Sequence, residues 1–530
     1  MLDLLIAGAS IVDGLGGPTV PGFVGVKSDR IAIVGGEGQS EPEAAQRITA
    51  MGHAISPGFI DVHNHSDLVP FVEPWMDSML RQGVTTVVVG NCGTSAAPPA
   101  GAAEAAELMN VRPDQLDLSW QTFAQYLERL DACRPAINVA ALVGHGALRR
   151  QAMGMERRAP TADELSEMRR LLAEGLDAGA VGMSTGLIYA PGIHASTDEI
   201  VEIAQELPRY GGVYASHIRG EGAPVFDAVA ECIEIGRRTG APSHISHLKV
   251  ETSRAWGRAA ELLALIDSER ERGADVSADQ YPYAAWESSL SSCLPAWASP
   301  EELPALRSDP ATHERLRTAV QRGEEGWQCC ADGLGWDRIV IVGHAGSDEL
   351  TGRSIQQVAE DRGADPVDTV FDLLMADPNT SVIGHAMLEE DVRTILARDD
   401  VMVASDGLGI SPDGPMAGFN VHPRYYGTFP RVLGRYVAEG VLPLETAVKK
   451  MTSLPADRFA LGNRGRIHEG AVADLVVFDP ASVTDRATFG APHLYAEGIL
   501  AVIVAGRVVW DGEPRERAGR VIRRSEWPYG

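Results

Sequence analysis

Residues 59–67 read FIDVHNHSD. A short apolar run ends in two histidines one residue apart. In an extended strand, side chains at i and i+2 share a face, so His63 and His65 point the same way from the strand's tip. Seven more runs of this kind follow along the chain: TTVVVGNC, INVAALVGH, AVGMSTGL, GVYASHIR, PSHISHLK, DVSADQYPY and VMVASDG. Most are continuously apolar rather than alternating, which fits strands covered on both faces. Amphipathic stretches separate them. The clearest is TADELSEMRRLLAEGLDAG, where Thr161 and Glu164 form a capping box, and Ser196 with Glu199 is expected to start a second helix in the same way. Eight strands alternating with helices predict an α/β fold, a parallel (β/α)8 TIM-like barrel.

The two ends of the chain differ from this pattern. LLIAGASIV, GFVGVKSD and RIAIVGG near the start, and GAVADLVVFD and ILAVIVAGRVVWDGE near the end, are β-rich runs joined by glycine turns. Neither end has enough strands for a stable sheet alone, and chain termini often lie close together. A small β-sandwich built from both termini is expected, with residues 1–57 and 456–530 contributing its two parts and the barrel spanning 58–455. The seventh and eighth barrel runs are about 115 residues apart, too far for an ordinary βα connection. An insertion around 284–400 is expected there, with RIVIVGHAG and SVIGHAM as its own apolar segments.

With a net charge of −27 over 530 residues, the chain is a poor partner for nucleic acid or an anionic membrane. The start, MLDLLIAGASIVDG, lacks a basic leader region and a cleavage signal, and no apolar run reaches transmembrane length. A cytoplasmic protein acting on a small molecule is expected.

In a parallel barrel the C-terminal strand ends carry the active site. Those ends hold His63 and His65 on strand one, Cys92 on strand two, His217 on strand five, His247 on strand six and Asp406 on strand eight. Singly, each has a plain structural explanation: a hydrogen-bonded histidine, an inert buried thiol, an aspartate in a turn. Together, at strand ends of one polarity, imidazole, thiolate and carboxylate make a donor set suited to zinc. His145 also ends a strand and is read as structural. Alternation sends His244 to the face opposite His247.

HNHSD on strand one, the histidines of strands five and six and the strand-eight aspartate resemble the amidohydrolase superfamily. PGFIDVHNHSD, GNCG, NVAALVGHGALR, GLIYAPG, SHIRGEG, SHLK, DQYPY, SDG and HPRYYGTFPRVLG, in that order, resemble the D-aminoacylase (N-acyl-D-amino-acid deacylase) family within it. Superfamily members often bridge two metals with a carboxylated lysine. Only four of the 46 basic residues here are lysine, and only Lys249 lies near a strand end. The D-aminoacylase family uses a cysteine instead, and Cys92 in GNCG matches it. The resemblance implies a tight zinc at Cys92, His217 and His247, a second and weaker site at His63 and His65, and Asp406 as the acid–base group of amide hydrolysis. It implies an N-acyl-D-amino acid as substrate, its carboxylate met by Arg424 and Tyr283, with Lys249 a further cationic candidate. Spacing alone leaves Tyr281 open beside Tyr283. The stretch 407–423 is longer than the family pattern. AAWESSLSSCLPAWA after DQYPY lacks the arginine associated with acidic-substrate members, so neutral or hydrophobic side chains are expected. The competing readings are a cyclic amidase of hydantoinase or dihydroorotase type, a D-residue dipeptidase, and a barrel that binds without catalysing.

Overall fold

The computed structural model describes residues 1–108, 116–324, 327, 329, 331–417 and 421–524. All eight expected barrel strands are present, at Phe59–Asp61, Val84–Val89, Asn138–Gly144, Gly182–Gly186, Val213–His217, Ser243–Ile245, Val276–Gln280 and Val401–Val403. They pair in parallel, each with its sequence neighbour, strand seven joining strand eight across the insertion. Every residue of these strands is buried, which explains the unbroken apolar runs. The interior is filled rather than open. Ile60, Val88, Leu142, Val213, Ala215 and Met402 pack there on a floor of Phe459, Leu461 and Ile522.

The ring closes just beyond the short first and last strands. The Asp406 amide donates to the His63 carbonyl at 2.8 Å, and the His65 amide donates to the Gly407 carbonyl at 2.9 Å. Asp61 locks this seam from beneath. Its carboxylate accepts from the Ser405 amide at 2.9 Å, the Ser405 hydroxyl at 2.5 Å and the Asn64 side-chain amide at 2.9 Å.

Thr161 and Glu164 make the expected capping box at the start of helix Ala162–Asp177. Ser196 accepts from the Glu199 amide and caps Thr197–Ala204, but no box forms. The Glu199 carboxylate is occupied by the Arg149 guanidinium at 2.6 Å and by His145 at 3.1 Å, so His145 belongs to a buried structural pair.

Strands Leu2–Ile11, Val20–Lys27, Arg30–Gly36, Ala44–Thr49 and Ala54–Pro57 from the start of the chain join Leu475–Phe478, Ile499–Val504 and Arg507–Trp510 from its end. Antiparallel pairing of Leu475–Phe478 with Ala54–Pro57 sews the two ends together. The eight strands form one continuous sheet rather than two separate ones. The sheet folds back on itself, bridging Arg30 to Val472, so that Val24, Val26 and Ile31 share a core with Leu475, Val477 and Ile503. Alternation puts Leu4 and Ile6 in this core and Leu5 and Ala7 on the opposite face.

Between barrel strands seven and eight, Trp286–Ser289, Ile339–Gly343 and Ser381–Gly384 form a three-stranded antiparallel sheet. The two apolar segments noted in the sequence are the second and third of these strands. Among the described residues no helix is long and apolar enough to cross a membrane.

Replacing Asp61 by alanine strips three donors at the seam of their acceptor. Buried polar groups left unpaired in this way cost about 1–3 kcal/mol each, so Asp61→Ala is expected to lower stability by about 3 kcal/mol or more in chemical denaturation.

Candidate metal centre

The strand ends meet at the C-terminal mouth of the barrel. Cys92, His247 and Asp406 each sit there with a positive φ, at +53°, +38° and +51°. Non-glycine residues rarely adopt this region, and where they do the strain collects at functional sites. The sharp turn after each strand aims the side chain back across the mouth.

Cys92 Sγ lies 3.2 Å from His63 Nε2, 3.6 Å from His247 Nε2 and 3.7 Å from His217 Nδ1. In a tetrahedral zinc site, Zn–S near 2.3 Å and Zn–N near 2.0–2.1 Å give an S···N edge of about 3.6 Å. The donor spacing therefore fits the ion. A second group adjoins the first: Asp406 Oδ1 is 3.0 Å from His65 Nε2 and 3.3 Å from His63 Nε2. His63 belongs both to the group with Cys92 and His247 and to the group with His65 and Asp406, while His217 groups with His247 and Glu221, so the donors form one continuous cluster.

Electrostatics favours a cation here. Burial alone would raise the Cys92 thiol, but His63, His217 and His247 outweigh it and hold it well below the usual thiol range. Burial likewise opposes ionisation of Asp406, yet the Arg424 guanidinium and then His63 keep it well below the ordinary carboxylate range. Asp279 and Glu221, both buried, behave in the same way against their histidine and lysine neighbours. Four anions thus converge on the imidazoles.

Asp279, on barrel strand seven, was not singled out in the sequence. One oxygen accepts from the His247 amide at 2.9 Å. The other lies 2.8 Å from His244 Nε2 and 3.7 Å from His63 Nδ1. His244 points away from the cluster, as alternation requires, and its Nδ1 meets the Ser277 hydroxyl at 2.8 Å. The sequence signal for Asp279 is its place at a strand end in ADQYPY, matching the other donors. Glu221, in SHIRGEG, lies in the loop after strand five and sits beside His217 and His247.

Arg424 is buried beside Asp406. Its Nη2 is 3.1 Å from Asp406 Oδ2, and its Nε donates to the Asp406 carbonyl at 2.7 Å. Its Nη1 has no hydrogen-bond partner among the described residues, and neither does the Tyr281 hydroxyl. The Arg424 guanidinium lies 4.9 Å above the Tyr281 ring, with Lys249 Nζ 5.5 Å from the same ring. Tyr283 faces elsewhere. Its ring is covered by Arg431, and its hydroxyl reaches the Pro423 carbonyl at 3.4 Å. Of the two tyrosines, Tyr281 is the one packed against Arg424 and Lys249. Pro282 between the two interrupts the alternation on which their equivalence in the sequence rested. Lys249 Nζ is 2.5 Å from Glu221 Oε1 and turned towards the ligand histidines.

Strand Trp286–Ser289 of the insertion crosses the mouth. The Trp286 side chain hydrogen-bonds Glu251, Glu287 bonds Tyr425 and the His422 amide, and Ser288 bonds Tyr189. Tyr189 in turn meets the His217 ring edge-on at 4.9 Å. Residues 408–416 are clipped to the barrel rim, where Glu73 accepts from the Ser411 and Met416 amides at 2.6 and 2.9 Å. Part of the 407–423 stretch, residues 418–420, lies outside the described residues.

The amidohydrolase family profile matches residues 46–510, and the chain belongs to that family. Within it the chain falls in the D-aminoacylase branch. It is 40% identical to an N-acyl-D-glutamate deacylase of Alcaligenes xylosoxydans xylosoxydans, over 99% of this chain and 97% of that one. It is 39% identical to a D-aminoacylase of the same organism, over 99% and 98%. A crystal structure of the N-acyl-D-glutamate deacylase from Bordetella bronchiseptica, complexed with zinc and a phosphonate mimic of the tetrahedral intermediate, superposes with a TM-score of 0.82 at 38% identity, covering 98% of this chain and 99% of that one.

Cys92 touches three of the four histidines. Cys92→Ala is expected to weaken metal retention by more than the about 10–100-fold that follows loss of an outer-shell partner, read as metal content after dialysis against a graded chelator series.

Proposed function

We propose that the chain hydrolyses the amide bond of N-acyl-D-amino acids, releasing a carboxylate and a D-amino acid, with a preference for neutral or hydrophobic side chains. The observation that carries this reading is the pair of unsatisfied buried groups, Arg424 Nη1 and the Tyr281 hydroxyl, next to an ionised Asp406. Buried polar groups are ordinarily paired. A guanidinium edge and a phenol facing one space suit a planar carboxylate, and an N-acyl amino acid brings one.

Zinc is the metal assigned: Cys92, His217 and His247 would hold the tight ion, and His63 and His65, beside Asp406, a weaker one. When bound, zinc supplies Lewis acidity, polarising the scissile carbonyl and lowering the pKa of water from about 15.7 towards about 7. Asp406, kept ionised by Arg424, takes the proton of the attacking water and delivers it to the leaving nitrogen. Arg424 thus has two duties: Nε and Nη2 hold the base, and Nη1 orients the substrate carboxylate. The relatives' D-amino-acid substrates support the same hand here.

The side-chain preference follows from the mouth. AAWESSLSSCLPAWA contributes no arginine, and the wall strand carries Trp286 and Glu287. Burial pushes Glu251, hydrogen-bonded to Trp286, up to about 7, and nearby Glu221 adds to this. Burial and the neighbouring Glu221 already penalise negative charge at this wall, which disfavours an acidic side chain.

Zinc-replete enzyme assayed on paired N-acetyl-D- and N-acetyl-L-Leu, -Met, -Phe and -Glu, with dihydrouracil as the cyclic control, is expected to turn over the neutral D-series alone. Preference for N-acetyl-D-glutamate would reverse the side-chain assignment, and turnover of dihydrouracil would move the protein to the cyclic amidases. Asp406→Asn should lose at least about 100-fold in kcat while keeping its tightly bound zinc. Arg424→Lys and Tyr281→Phe should raise KM, whereas Tyr283→Phe should leave it near the parent value. An equal effect of the two tyrosine changes would remove Tyr281 from the carboxylate site.

A further inference from the structure

HPRYYGTF places a histidine two residues before Arg424, outside the cluster of metal donors. His422 is fully buried, and both of its ring nitrogens are engaged. Nδ1 accepts from the Arg424 backbone amide at 3.0 Å, and Nε2 donates to the Ala285 carbonyl at 2.9 Å. A peptide N–H can only donate and a carbonyl can only accept, so the two contacts agree on one neutral ring with its proton on Nε2. Burial, and then the Arg424 guanidinium, hold this imidazole well below its usual range. Tyr283 and Phe489 wall the ring at 5.1 and 5.0 Å, both nearly perpendicular to it.

Each bond ties down a different part of the mouth. Helix Arg424–Arg431 starts at Pro423 with no side chain capping it from that position. The first amides of a helix have no acceptor within the helix. His422 supplies two, its Nδ1 for Arg424 and its carbonyl for Tyr425 at 3.1 Å. The main chain of Arg424 is thereby fixed, while Asp406 fixes its guanidinium from the other end. Nη1, the edge without a partner, takes its position from both anchors. The second bond leads away from the helix. Ala285 immediately precedes strand Trp286–Ser289 and packs against Val342 and Ile383 of the insertion's other two strands. Its carbonyl belongs to the main chain, so this bond does not depend on which side chains the strand carries.

We infer that His422 is a positioning residue with two attachments: through Nδ1 it sets the main chain of the arginine that receives the substrate carboxylate, and through Nε2 it holds strand Trp286–Ser289 in register with that arginine. The carboxylate and the side chain of one substrate are then read by two segments kept at a fixed separation. This rests on the deacylase reading above and adds to it a residue that acts through Arg424 and the mouth strand.

Two substitutions separate the attachments. Asparagine places an amide oxygen near the Nδ1 position and accepts readily from the backbone amide two residues on, but it is too short to reach Ala285. Glutamine can present an N–H near the Nε2 position and offers no acceptor at Nδ1. Each full-length variant is assayed zinc-replete, with metal content and circular dichroism measured alongside. His422→Gln is expected to raise KM for N-acetyl-D-leucine about 10-fold, short of the about 100-fold that a misplaced group can cost, with kcat and zinc content within about twofold of the parent. His422→Asn should keep KM within about twofold, yet move the ratio of kcat/KM between N-acetyl-D-leucine and N-acetyl-D-glutamate at least about fivefold towards unity. Parent-like KM in His422→Gln, or an equal rise in both variants, would overturn the Nδ1 attachment. Parent-like selectivity in His422→Asn would overturn the Nε2 attachment. Loss of stability or zinc with KM and selectivity unchanged would reduce His422 to a packing residue. If His422→Gln does not fold, His422→Ala takes its place and should show both effects together. A parent inactive on every N-acyl-D-amino acid would bring down the deacylase reading, whereas an active parent with unmoved variants would remove His422 alone.

Discussion

The molecule depends on the seam where barrel strand eight meets strand one. Both strands are only three residues long, and the ladder that joins them lies beyond their ends, at His63, His65, Asp406 and Gly407. Three of the four residues that make these ring-closing backbone bonds, His63, His65 and Asp406, are therefore ones whose side chains form the cluster. Asp61 beneath them accepts three hydrogen bonds and ties Asn64 to Ser405. Closure of the barrel and the approach of His65 to Asp406 are one geometric event. An open barrel would place the paired imidazoles and the carboxylate apart.

Charge is organised around this seam in shells. An acidic chain concentrates a thiolate and three carboxylates among four imidazoles, and the buried cations are few and specific. Arg424 meets Asp406, and Lys249 meets Glu221. Each cation stabilises one anion that would otherwise be desolvated alone, which is the condition under which buried charge is tolerated. Arginine suits the first position because its fork can bind the base and still present a further N–H edge. The second position needs only a point charge.

Most of this was legible in the chain itself. His63, His65, Cys92, His217, His247 and Asp406 each end an apolar run, and a period of two with a barrel's fixed polarity brings them together without further information. What escaped depends on relations the period does not encode. Pro282 breaks the alternation between Tyr281 and Tyr283, so only three-dimensional placement separates them. Glu221 lies in the loop after strand five, where no periodic rule says which way a side chain turns. Glu199 has the right spacing for a capping box, but a buried arginine from another element claims its carboxylate. The terminal strands signalled a shared β module, while the pairing that makes it one sheet, Leu475–Phe478 against Ala54–Pro57, joins residues more than 400 positions apart.

The strand Trp286–Ser289 reaches the mouth from the insertion, a part of the chain that supplies none of the donors gathered around Cys92. It touches the loops after strands four and six through Tyr189 and Glu251, and the helix Arg424–Arg431 after strand eight through Tyr425. Reactivity and discrimination are thereby written on separate stretches of polypeptide. A lineage could exchange Trp286 or Glu287 and acquire a new diet without renegotiating the metal. Divergence within such a family is then expected to accumulate in the roof, while the ring beneath it stays unchanged.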